Sequence, residues 1–148
     1  MATLRAPASI ADVQGLRLEE AIAGARVRGF EPTERFATTL AEGETYPRDL
    51  MVEPGACVAI AAAGGEGVRD VDLYLRDTAG ALVASESGPS ALGTVSRCAG
   101  AGPLALRFEA ILGHGGGEIA FAILRATPAP PDGPAPEGAE PGPEAEAP

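Results

Sequence analysis

The sequence predicts an all-β chain: an antiparallel, jelly-roll-like β-sandwich of seven to eight strands, led by a short helix and trailed by a proline-rich segment. Three observations carry that prediction. Between Arg35 and Arg125, apolar residues recur at alternate positions, in short runs divided by glycine-bearing turns at roughly 8–12-residue spacing. Ahead of this region the apolar spacing lengthens toward a helical period. Behind it, residues 127–148 hold eight prolines and not one Val, Ile, Leu or aromatic residue. The chain therefore divides into a helical segment or linker over 1–32, a sandwich over 33–126 and a tail over 127–148.

The helix is expected within residues 9–28. Ile10, Val13, Leu16, Ile22 and Val27 recur near helical spacing, and Ser9 followed by Asp12 forms a weak capping signal. Glu19 and Glu20 precede Arg26 and Arg28, an order that suits the helix dipole. Gly29 and then Pro32 end the element. Glu19 and Glu20 project about 100° apart on such a helix and read as a solvated face, not an acid/base pair.

Eight strand candidates follow: 35–40, 46–52, 57–61, 70–76, 81–84, 94–98, 104–112 and 118–124. The fourth alternates most cleanly. Val71, Leu73 and Leu75 fall on one face, with Asp70, Asp72, Tyr74 and Arg76 on the other. Asp77-Thr-Ala-Gly80 has turn composition, and His114-Gly-Gly-Gly117 is expected to close the last two strands into a hairpin. With no Trp and much Ala, the core is expected to be thin.

The acidic balance excludes some partners. Net charge is −10; residues 1–126 hold 16 acids against 11 Arg, and residues 127–148 hold five acids and no base, so each part contributes −5. Nucleic acid and anionic membrane surfaces both call for a basic footprint, which is missing. No apolar run approaches the ~20 residues that span a bilayer. Met1-Ala-Thr-Leu-Arg5 opens no secretory signal. The tail has nothing to bury, so it is expected to be a disordered spacer. Lys and Asn are absent while Ala, Gly, Pro and Arg abound, as in a GC-rich coding bias. On that ground alanine content is discounted as a functional signal.

The run G-E-T-Y, V-E-P-G-A-C-V-A-I-A and then D-V-D-L-Y-L-R-D-T-A-G, ending in A-L-V-A-S-E, resembles the bacterial pre-peptidase C-terminal (PPC) domain. The match is closest over Asp70–Gly80 and covers roughly residues 36–125; Gly102-Pro-Leu104 stands where that family carries Gly-x-Tyr. The resemblance implies a β-sandwich accessory module of exported bacterial proteins. Such modules are not catalytic and assist secretion or bind a ligand or polymer. It further implies an extracytoplasmic location (periplasmic, cell-surface or secreted), a monomeric module, and as partner a protein or an envelope polysaccharide. An alternative is that the chain is the C-terminal appendage of a larger secreted protease or other exported enzyme, which would account for the missing signal at Met1.

Cys57 and Cys98 are the only cysteines, each at the edge of a strand candidate. They are either two buried thiols or one disulfide; exported relatives and a thin core favour the disulfide. One His with two Cys falls short of a zinc site. No cofactor is expected beyond calcium, for which Asp70, Asp72 and Asp77 could supply oxygen ligands, against the plainer reading of a solvated strand face ending in a turn. His114-Gly-Gly-Gly117 imitates an esterase oxyanion motif, but no G-x-S-x-G elbow accompanies it. A hydrolase built on His114 is therefore the weakest reading.

Overall fold

The computed structural model describes residues 10–88 and 90–127. Ser9 and the tail expectation over 128–148 lie outside the described residues. One helix, α1 (Ile10–Val27), is followed by eight strands: β1 (Glu31–Leu40), β2 (Thr45–Val52), β3 (Cys57–Gly64), β4 (Val68–Arg76), β5 (Leu82–Glu86), β6 (Leu92–Cys98), β7 (Leu104–Gly115) and β8 (Gly117–Ala126). They form two antiparallel four-stranded sheets, ordered β1-β8-β3-β6 and β2-β7-β4-β5. Only β4 and β5 are consecutive strands paired in one sheet; every other connection crosses between sheets. That wiring is the jelly roll.

The crossing at 115–117 corrects one expectation. β7 and β8 do not form a hairpin: β7 pairs with β2 and β4, and β8 with β1 and β3. The glycines there serve close approach. A Cβ at Gly115 would lie 2.1 Å from the Gly67 carbonyl oxygen, and the Gly116 N–H donates to that oxygen at 2.9 Å. The 64–67 and 115–117 loops thus pack backbone to backbone, which side chains would forbid.

The main core lies between the sheets. Phe121 sits at its centre, stacked on Phe36 at 5.0 Å and met edge-on by Phe108 at 5.8 Å between ring centroids. Arg48 lies over the Phe36 ring and pairs with Glu34, closing the β1–β2 side. Pro32 and Pro47 stand in the edge strands β1 and β2, where a missing N–H does least harm.

A second core lies under the helix. Leu18, Ile22, Ala25 and Phe30 share a buried cluster with Cys57, Ala59, Ala61 and Ala63 of β3, Cys98 of β6 and Ala122, Leu124 and Ala126 of β8. Alanine's short side chain lets the helix lie close to the sheet, so these alanines carry packing and are not mere coding bias. Burial of Leu18, Ile22 and Phe30 contributes roughly 2 kcal/mol each before entropy is counted.

The helical face differs from the one the spacing predicts. Leu16 and Val27 are exposed (63% and 89%), while Gln14, Leu18, Ile22 and Ala25 face the sheet. Burying Gln14 is tolerated because its amide nitrogen donates to the Ala63 carbonyl at 2.9 Å and to that of Glu118 at 3.3 Å. At the other end Gly29 adopts φ 98°, Gly29 N–H bonds to Arg26 O and Phe30 N–H to Ala25 O. This paired pattern is a Schellman cap, and its hydrophobic member is the fully buried Phe30. No described helix is long and apolar enough to cross a membrane.

Cys57 and Cys98 form a disulfide. They are directly opposed in the β3–β6 ladder, with Cα atoms 3.9 Å apart. The adjoining Ala99 N–H bonds to Ala56 O, which places the cysteines at the narrow, non-hydrogen-bonded position where side chains approach most closely.

Candidate functional site

The two sheets expose very different outer faces. The outer face of the β1-β8-β3-β6 sheet lies under α1, whereas among the described residues no element covers the outer face of the β2-β7-β4-β5 sheet. Period two dictates which residues stand on it: Asp70, Asp72, Tyr74 and Arg76 from β4, Arg107, Glu109, Ile111 and Gly113 from β7, and Asp49 and Met51 from β2. The alternation anticipated for β4 is the one observed.

Register lines these side chains into a charge ladder. Arg107 lies between Asp49 (Nη1 to Oδ1, 3.1 Å) and Glu109 (Nε to Oε2, 3.6 Å). Glu109 also accepts from Arg76 Nε at 3.2 Å, and Arg76 Nη1 reaches the Gly80 carbonyl at 3.5 Å. These pairs are partly solvated and worth at most about 1 kcal/mol each, so they orient the guanidiniums along the sheet while adding little stability. Where the β4–β5 turn rises beside β7 and β2, the ladder ends in a cleft of about 590 Å³ lined by Asp49, Met51, Arg76, Thr78, Ala105 and Arg107, among others.

At the other end stand the two aspartates proposed from sequence. Asp70 and Asp72 do come together: burial pushes the Asp72 carboxyl above its ordinary range, and a hydrogen bond and like charge from Asp70 add to the shift. Gly113 makes room for them, since a Cβ there would lie 2.9 Å from Asp70 Oδ2 and 3.4 Å from Asp72 Oδ2. Asp70 Oδ1 is buried with no hydrogen-bond partner. Asp77 does not join them. Its Oδ1 accepts from the Ala79 and Ala81 amides at 2.9 Å each, so it builds the turn. Among the described residues no three His, Cys, Asp or Glu side chains gather as a metal site.

His114 stands in solvent with Nδ1 3.7 Å from Glu42 Oε1, and that same oxygen accepts from the Gly115 N–H at 3.0 Å. The residues the sequence did not single out are Asp49, Met51, Thr78, Arg107 and Glu109. Arg107 and Glu109 were visible as the polar members of an alternating run, but the facing of β2 and β4 on β7 was not.

No family model matches the chain, and no curated protein matches it. Among solved structures, the chain is similar to a de novo designed double-stranded β-helix determined by solution NMR, at 20% identity and TM-score 0.36, over 63% of this chain and 99% of that one.

Proposed function

We propose that the chain is a non-catalytic, extracytoplasmic binding module of PPC-like type that engages an envelope polymer or protein through the uncovered face of the β2-β7-β4-β5 sheet. One observation carries the reading: among the described residues the fold covers one sheet with a helix and leaves the other bare, with a registered row of charged side chains and Tyr74 on it. Two further features support it. The Asp70–Gly80 run that resembles the PPC domain lies on this face and its turn, and the Cys57–Cys98 bridge suits an oxidising compartment.

Carbodiimide footprinting of carboxylates tests the reading. With an isolated envelope fraction bound, labelling of Asp49, Asp70, Asp72 and Glu109 is expected to fall while Glu19 and Glu20 on the helix label as before. Protection of the helix carboxylates instead would sink it.

A further inference from the structure

We infer that the cleft beside the β4–β5 turn is a subsite for a neutral saccharide chain; this rests on the bare face being the binding face. A volume of about 590 Å³ falls among small-molecule pockets. The walls present hydrogen-bonding groups that the ion pairs orient. Arg107 uses Nη1 and Nε on Asp49 and Glu109, and Arg76 uses Nε and Nη1 on Glu109 and Gly80, which leaves Nη2 of each without a partner among the described residues. The Thr78 hydroxyl adds a group that both donates and accepts. The floor is apolar, formed by Ala105 and by Met51, which is 55% exposed.

Charge selects among ligands. The lining balances two carboxylates, Asp49 and Asp77, against two arginines, and Glu109 pairs with both arginines from beside the cleft, so an anionic ligand such as a phosphate or a polyuronate gains no favourable field. A neutral polyol uses the wall in full: adjacent hydroxyls accept from an Arg Nη2 and donate to the Asp49 carboxylate, while the ring's C–H face rests on Met51 and Ala105. Tyr74, whose ring lies 5.7 Å from the Arg76 guanidinium carbon, adds one aromatic ring beside the cleft along the sheet. A chain of sugar units could therefore run from the cleft along the strand direction. No bond is made or broken.

The test is NMR titration of the isotope-labelled full chain with neutral gluco-, xylo-, manno- and N-acetylchito-oligosaccharides, with an oligogalacturonate, and with a synthetic peptide copying residues 128–148. At least one neutral oligosaccharide is expected to shift the amides of Met51, Thr78, Gly80 and Arg107 saturably. Arg107→Ala and Thr78→Val are expected to weaken that binding about tenfold with an unchanged melting temperature. No response to any neutral sugar at up to about 10 mM, shifts confined elsewhere, or a response to the oligogalacturonate or the peptide alone would overturn the inference. If carbodiimide protection of the bare face persists in that case, the saccharide assignment alone fails; if protection is lost too, the face itself was misjudged.

Discussion

The outer faces of the two sheets are built from the same repeat and end in opposite conditions. On β3 every residue is buried, because α1 stands on one side and the other sheet on the opposite side. On β4 burial alternates, because one side meets the core and the other meets water. The difference teaches how coverage is written in a strand. A strand covered twice reads as an unbroken apolar run, here Cys-Val-Ala-Ile-Ala-Ala-Ala-Gly, and a strand covered once reads as alternation. The alanines are the side chains that a close-lying helix permits, and the arginines and carboxylates of the bare face are free to be arranged for a partner.

If the covered face carries stability and the bare face recognition, substitutions on the two should separate by size of effect. The largest loss is expected from Cys57→Ala with Cys98→Ala. Opening a loop of 41 residues costs about 4 kcal/mol in the chain-entropy account, read as a fall in denaturation midpoint with unchanged slope. Next is Ala61→Leu, which forces volume beneath the helix and should cost ~1–3 kcal/mol. Its counterpart on the bare sheet, Ser85→Leu, should stay within ~0.5 kcal/mol; equal effects would collapse the distinction. Gln14→Ala is expected to cost about 1–2 kcal/mol by removing both hydrogen bonds from α1 to the sheet and leaving a void there, with faster amide exchange at the start of α1.

The smallest expected effect is on the bare face and has the opposite sign. The folded-state Asp72 carboxyl titrates above its unfolded value, so its favourable contribution is complete only below the ordinary aspartate range and is lost as pH rises through the raised value. At neutral pH the paired carboxylates oppose folding. Asp70→Asn is expected to raise stability by ~0.5 kcal/mol at neutral pH, and thermal melts should show the gain vanishing by roughly pH 3.

Local pattern made much of this molecule legible. All eight strand candidates correspond to strands, the facing of β4 was readable from alternation, and the cysteines at strand edges do meet. Two things escaped. Alternation says which side of a strand is buried but not which sheet the strand joins, so the 115–117 crossing passed for a hairpin. The face of α1 was misread because its contact surface is alanine, which asks little hydrophobicity of the helix, and because a buried glutamine occupies one anchor position. The bare-face ladder and its cleft escaped for a related reason: Asp49, Arg76 and Arg107 are distant in sequence and meet only through the β2-β7-β4 register.

The pairing of the first strand with the last has a mechanical meaning. Glu31 lies opposite Arg125, so the chain enters β1 and leaves β8 at one corner of the sheet, about 5 Å apart. Tension applied through the flanking segments first lifts α1 from the sheet, then pulls that corner open and loads the ladder one pair at a time, the way a zipper yields, instead of shearing all its bonds together. Once β1 and β8 have peeled, residues 57–98 are still tied by the Cys57–Cys98 bond and add no length. Under load the module gives early and then stops short.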